Sequence, residues 1–106
     1  MIEICNLRKE KPSQIYDVKV DRTSVLGNPF FMKDESQRSK VCWQYEFYFR
    51  DKIEDKDPKF MTELSNLLKI YEEYGKLRLF CWCYPKKCHA ETIRGYLISV
   101  IEGINK

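Results

Sequence analysis

Apolar and polar positions divide the chain into six elements. Ile2 to Leu7 is a short run in which apolar residues recur at every second position, the period of a strand. Residues 10–13, with Pro12 among them, interrupt it. Tyr16, Val18 and Val20 then alternate with Asp17 and Lys19, so residues 15–20 predict a second strand with one buried face. From residue 37 to about 51 the period becomes helical. Val41, Tyr45, Tyr48 and Phe49 form the apolar stripe, Arg38 lies on it one turn earlier, and Ser36 is the expected N-cap. Pro58 opens a second helix that runs to about Tyr74. Phe60, Met61, Leu64, Leu67, Leu68 and Tyr71 make its face, and Gly75 ends it. Residues 77–83 are nearly all apolar and are flanked by Gly75 and Pro85, which predicts a strand buried on both faces, as in a parallel sheet. A last helix is expected from about Ala90 to Gly103, with Ile93, Leu97, Val100, Ile101 and Ile104 inward. The order β, β, α, α, β, α predicts a small three-layer α/β domain with a short, mostly parallel sheet and three helices.

Composition narrows this picture modestly. At 106 residues a single domain is expected, and 43% hydrophobic with 33% charged residues is globular rather than disordered usage. The net charge of +3 is too mild for a dedicated nucleic-acid binder, but leaves room for an anionic small ligand where a few basic residues converge. Fifteen aromatic residues (seven Tyr, six Phe, two Trp) would suit stacking on a base or sugar; a core built from aromatics explains the same number. No stretch reaches the roughly 18 apolar residues of a membrane span, and no apolar run follows Met1, so a cytoplasmic setting without membrane attachment is expected. Five cysteines, an odd number, read as reduced thiols.

The chemistry concentrates in Cys81-Trp-Cys-Tyr-Pro-Lys-Lys-Cys-His89, where a strand gives way to a helix. Free backbone N–H groups and the helix dipole at such a junction, with Lys86 and Lys87 in the turn, make an anion site. Ligands also collect at the carboxyl ends of strands in open α/β sheets. An ordinary solvated turn with two surface lysines accounts for the same residues. Cys81, Cys83, Cys88 and His89 also offer zinc-type ligands, but their spacing is not C-x2-C and no second half-site exists, so no metal is expected. Cys88 at a helix start, beside the only histidine, is a conceivable nucleophile, yet adjacent residues rarely form a dyad, and no catalytic residue is assigned.

A second constellation is Asp21-Arg22 followed by Leu26-Gly-Asn-Pro-Phe30. Arg22 follows a strand and so stands at the sheet's carboxyl edge. Gly27 and Asn28 permit unusual backbone angles, Asn28 offers an amide, and Phe30 and Phe31 offer a stacking face. Arg38 sits in a first helical turn, where a positive charge opposes the dipole. That placement points to a phosphate; pairing with Asp34 or Glu35 is the plainer explanation.

Taken together, Val18-Lys-Val-Asp-Arg22, Leu26-Gly-Asn-Pro-Phe30, Arg38, Val41, Tyr45, Leu79-Phe-Cys-Trp-Cys83, Pro85 and Cys88-His-Ala-Glu91 resemble an uncharacterised family of small domains of unknown function, common in phage and bacterial genomes. The resemblance covers nearly the whole chain. The family often has Ile-Gly-Arg where this chain has Val20-Asp21-Arg22, so the Arg is kept and the Gly is not. The resemblance implies no settled activity. Its Cys–His turn is similar to turns in small Rossmann-like families suspected of handling nucleotides, and the expected fold is accordingly Rossmann-like.

The resulting expectation is non-catalytic binding of a small nucleotide-like, phosphate-bearing ligand, of cyclic ADP-ribose type among others. The phage-type resemblance implies a protein that sequesters a host immune nucleotide signal. Arg22, Asn28, Phe30, Arg38, Trp82, Cys83, Lys87, Cys88 and His89 would line the pocket, with no cofactor. A thin three-stranded core favours a homo-oligomer. The alternatives are an enzyme acting at a nucleoside or nucleotide glycosidic bond, which needs Asp21 or Glu91 in the pocket, and a zinc-stabilised protein-interaction module.

Overall fold

The computed structural model describes residues 1–83, 86 and 88–103. Three parallel strands, β1 (Ile2–Asn6), β2 (Asp17–Lys19) and β3 (Leu77–Cys81), pair in the order β1-β3-β2. Three helices, α1 (Arg38–Glu54), α2 (Pro58–Tyr74) and α3 (Ala90–Ile101), complete an α/β domain in the element order read from the sequence. The most continuous apolar run became the central strand. Leu77, Leu79, Phe80 and Cys81 are buried because β3 is paired on both edges and covered on both faces.

Register decides which side chains meet the helices. Ile4 and Val18 both lie beside Leu79, so one face carries Ile4, Val18, Leu77, Leu79 and Cys81. That face joins a core with Tyr45 and Phe49 of α1, Phe60, Leu64 and Leu67 of α2, and Ala90, Ile93 and Leu97 of α3. The other face carries Glu3, Cys5, Asp17, Lys19, Arg78 and Phe80. Its cover is the 7–16 connection rather than a helix. Glu10 pairs with Arg78 at 2.5 Å, Arg78 lies 3.3 Å from Asp17, and the Ser13 and Gln14 N–H groups donate to the Asp17 carboxylate at 2.9 and 3.0 Å. These bonds hold β2 to three residues, shorter than the 15–20 run predicts.

Helix ends follow local chemistry. Pro58 opens α2 and Gly75 ends it at φ +68°, both as read from the sequence, and Asp57 caps the start by accepting the Phe60 N–H at 3.0 Å. Ser36 does not cap α1: the N-cap of that helix is Gln37, without a side-chain bond, and Asp34 caps the turn before it. Its carboxylate accepts the Ser36 N–H at 2.9 Å, takes the Ser36 hydroxyl as well, and starts a 3-10 turn (Glu35–Gln37) that leads into α1. The helix also runs past Asp51 to Glu54, since Lys, Ile and Glu are sound helix formers once a helix is under way. β3 stops at Cys81, two residues early. In α3 only Ile93 and Leu97 of the expected inward residues are buried; Val100 and Ile101 are exposed. Pro85 and Ile104 lie outside the described residues.

After Val20 the chain folds back on itself through two turns. The Asp21 carbonyl accepts the Ser24 N–H at 2.9 Å, and the Ser24 carbonyl accepts the Gly27 N–H at 3.0 Å. The buried Tyr45 hydroxyl donates to the Leu26 carbonyl at 2.7 Å and fastens this fold to α1. Gly27 is needed for close approach, not for an unusual backbone angle, since only Gly75 and Gly103 among the described glycines have positive φ. A Cβ at position 27 would stand 2.2 Å from the Asp21 carbonyl oxygen and 2.7 Å from the Arg22 Cα, both backbone atoms. Gly27→Ala is therefore expected to destabilise by about 1–3 kcal/mol or more, read as a lower denaturant midpoint. A midpoint equal to wild type would show that the turn relaxes freely.

Candidate functional site

The chain after β2, the first turns of α1 and the turn from β3 into α3 enclose one cavity of about 260 Å³. Arg22, Asn28, Phe30, Arg38, Trp82, Cys83, Cys88 and His89 line it together with Met32, Val41 and Cys42. Eight of the nine residues picked from the sequence thus meet in one place. The ninth, Lys87, lies outside the described residues. Val41 and Cys42 follow Arg38 by three and four residues, so they share its helical face, and that spacing could have identified them. Met32 carried no such signal. A larger but shallower depression of about 590 Å³, between Lys19, Thr23–Val25 and Pro58–Glu63, holds none of the selected residues.

Each wall has a local cause. Arg22 donates to the Phe30 carbonyl at 3.0 Å, and its guanidinium lies 3.8 Å from the centre of the exposed Phe31 ring. Asn28 Oδ1 accepts the Phe30 N–H at 2.9 Å, which leaves the amide NH2 as its donor at the cavity. Trp82, half exposed, donates its ring N–H to Asp21 at 3.2 Å. Burial opposes ionisation of Asp21, but the Thr23 hydroxyl and N–H, together with Trp82, outweigh it and keep the carboxyl below its usual range.

Arg38 is paired with Glu35, the plainer of the two sequence readings. Its Nε and a terminal nitrogen grip both carboxylate oxygens at 2.8 Å. Hydrogen bonds from Arg38, then from Lys86 at 3.2 Å, draw the Glu35 carboxyl down to about 2. Arg38 and Cys83 line the same cavity, and each favours the charged form of the other.

The helix start departs from the sequence reading in an instructive way. The Cys88 N–H donates to the Glu91 carboxylate at 3.2 Å, and the Cys88 carbonyl accepts the Glu91 N–H at 3.1 Å. Glu91 thus supplies the reach-back half of a capping box, while His89, the N-cap of α3, makes no side-chain cap bond. The anion expected at this terminus is therefore the protein's own Glu91. Any positive pole for a ligand comes from Arg22 and Arg38.

His89 is 8% exposed, and its Nε2–H donates to the Val20 carbonyl at 2.5 Å. The ring packs edge-on against Tyr45, with centroids 5.1 Å apart. Burial holds it below its ordinary pKa and therefore neutral. With Nε2 carrying the proton, Nδ1 is a lone-pair acceptor, 3.5 Å from the Cys88 sulfur. Cys83 is drawn down to about 5: the Cys88 thiol donates to it, burial opposes, and the Arg38 guanidinium prevails. Cys88 moves the opposite way, raised by its contacts with Cys81 and Cys83 and by burial. Among the described residues, no group of three or more His, Cys, Asp and Glu is arranged to hold a metal ion.

These shifts set the acid limb of stability. The folded state keeps Cys83 as thiolate down to about pH 5, whereas an unfolded thiol ordinarily protonates near 9. Its contribution is full above about pH 9, shrinks as pH falls and is gone below 5. His89 acts in the same direction, because the unfolded imidazole gains a proton below about 6.5 and the buried ring resists it. The melting temperature is expected to fall from pH 8 to 5, and Cys83→Ser to flatten the upper part of that fall. A wild-type profile that is flat, or rises toward acid, would contradict both assignments.

Among the described residues no helix is long and apolar enough to cross a membrane. Neither the curated proteins nor the solved structures contain a match to this chain. One family model does match, spanning residues 5–98 and so taking in every cavity residue. The chain accordingly belongs to the family described as a domain of unknown function, DUF4326.

Proposed function

We propose that this cavity binds a small nucleotide-like ligand, a planar ring bearing an anionic group, and does not cleave it at a glycosidic bond. The supporting observation is convergence. Residues 22–32, 38–42, 82–83 and 88–89 bring two guanidinium groups, an amide donor and aromatic surface to one half-enclosed cavity at the carboxyl ends of the adjacent strands β2 and β3. Size refines the ligand class. A volume of about 260 Å³ falls below the range of roughly 300–1,000 Å³ for drug-sized ligands, which favours a mononucleotide or smaller. A cyclic ADP-ribose-type molecule, with two phosphates and two sugars, exceeds it unless a second copy completes the site.

Glycosidic chemistry finds less support. Asp21 is committed to Thr23 and Trp82, Glu91 caps α3, and neither lines the cavity. The reading includes a homo-oligomer. Exposed Phe31, Trp43 and Phe47 stand around Phe30 at the rim, and a second copy would cover them. Sequestration of a nucleotide signal, in a phage-encoded setting, is the role such a protein would serve.

The test is thermal shift and native mass spectrometry against a panel of mononucleotides and cyclic ADP-ribose-type molecules, with bound ligand recovered unaltered after heating. Arg22→Ala should weaken binding about 10–100-fold, the range for a hydrogen bond to a charged group. If no nucleotide raises the melting temperature, the reading fails.

A further inference from the structure

The ligand reading draws on the cavity's cations, amide and rings but leaves its sulfurs without a task. Five cysteines are free, and two of them, Cys83 and Cys88, line the wall of the same cavity. They are unequal. Cys83 lies beyond the end of β3 and is half-buried, whereas Cys88 is 3% exposed behind it. We propose that Cys83 and Cys88 form a dithiol exchange site, in which Cys83 attacks a small anionic disulfide entering the cavity and Cys88 resolves the mixed disulfide. This activity goes beyond ligand binding and shares its cavity.

The groups facing the pair assign the order of attack. Arg38 from α1 and Cys88 from the turn into α3 share the cavity wall with Cys83, and both favour its thiolate. Glu35 and Lys86 act on Cys83 only through Arg38, which Glu35 grips. Cys88 is faced by Cys81, Cys83 and the Ala90 N–H, and by His89 Nδ1 at 3.5 Å. Cys83 is thus the exposed nucleophile and Cys88 the protonated thiol held in reserve. Arg22 and Arg38, on the same cavity, would draw an anionic substituent of the disulfide to the attacking sulfur.

The steps balance without an outside oxidant. The Cys83 thiolate attacks one sulfur of the disulfide, the S–S bond breaks, and its electron pair leaves with the first product thiolate. Cys83 is then in a mixed disulfide. Cys88 passes its proton to His89 Nδ1, and from there to water, and its thiolate attacks the Cys83 sulfur. The second product thiolate leaves, and Cys83–Cys88 is the new disulfide. The substrate disulfide is reduced by two electrons and the dithiol is oxidised by two. Return to the dithiol takes a small thiol reductant by the reverse exchange.

DTNB, an aromatic disulfide with a carboxylate on each ring, is a suitable probe because each released thiolate absorbs visibly. At pH 6 a thiol that ionises near 5 is almost wholly thiolate, and its lower intrinsic nucleophilicity gives back only part of the gain. Release is expected about tenfold faster than from an unperturbed thiol peptide. Two equivalents should appear per chain, and peptide mass mapping of the wild type should find a Cys83–Cys88 disulfide. Cys83→Ser should lose the fast phase. Cys88→Ser should stop at one equivalent with the adduct on Cys83. Arg38→Gln tests a positioning residue and should move the midpoint of the pH–rate profile up from about 5. Fast release that survives in Cys83→Ser, mapping to Cys42, or a lasting mixed disulfide on wild-type Cys83 would overturn the proposal, and the wild-type readouts do not depend on any variant folding. The two readings fail separately. A nucleotide shift that persists in Cys83→Ser without exchange leaves binding standing, and exchange without any nucleotide shift leaves the dithiol standing.

Discussion

The bond from His89 Nε2 to the Val20 carbonyl joins the end of β2 to the start of α3, and the cavity depends on it. β2 is a three-residue edge strand with little pairing of its own. Its last ladder contact is the Val20 N–H on the Phe80 carbonyl at 2.9 Å, after which the chain must turn away. The histidine takes up the carbonyl that this turn would otherwise leave buried without a donor. The same bond fixes the tautomer and so presents an unprotonated nitrogen to Cys88. Tyr45, packed on that ring, spends its hydroxyl on the Leu26 carbonyl, and Gly27 lies against the Asp21–Arg22 backbone. The segment that carries Arg22, Asn28 and Phe30 is therefore fastened at Val20, Leu26 and Gly27 before any ligand arrives.

Charge around the cavity is less positive than its two arginines imply. Arg38 gives donors to the Glu35 carboxylate and lies on the cavity wall with Cys83, whose thiolate it favours, and Arg22 gives one to a backbone carbonyl. These partners differ in strength of hold. Glu35 has a side chain 58% exposed, and an exposed ion pair is worth little in water. An arriving anion can displace it at small cost. Cys83 is half-buried and cannot swing into solvent so freely. The guanidinium that would meet a ligand's anion thus already shares the cavity wall with a thiolate that it favours, and a covalent event at that sulfur would change what Arg38 offers.

The fold was legible wherever one periodicity ruled. The helical stripes of α1 and α2 placed Tyr45, Phe49, Phe60, Leu64 and Leu67 in the core, and the near-continuous run of β3 marked the central strand. Legibility failed where two local chemistries competed. Asp34 started a 3-10 turn ahead of α1, and Ser36 fell inside that turn as a donor to Asp34 instead of a cap. The end of α3 kept apolar residues but had no neighbour to bury Val100 and Ile101. At the site, residue types pointed to the right neighbourhood, since Arg22 and Cys83 each follow a strand. What no spacing rule supplies is pairing through space: that Arg38 would meet Cys83, that Glu91 would fill the helix terminus, or that Trp82 would lean on Asp21.

The capping turn carries the most telling conflict between local preference and observed residue. A helix start of this geometry favours serine, threonine, aspartate or asparagine, whose oxygens accept backbone N–H groups better than sulfur does. Here the start of α3 has no side-chain cap, and among the described residues only the Glu91 carboxylate, on the Cys88 N–H, answers its free donors. Capping of α3 therefore does not explain the thiol of Cys88. Its other contacts do: it touches Cys81 and Cys83 on one side and His89 Nδ1 on the other, where a serine hydroxyl would bond but could form no covalent link to sulfur. The turn thus starts the helix at the cavity wall through Glu91, and it sets the Cys88 sulfur on the cavity that Cys83 also lines.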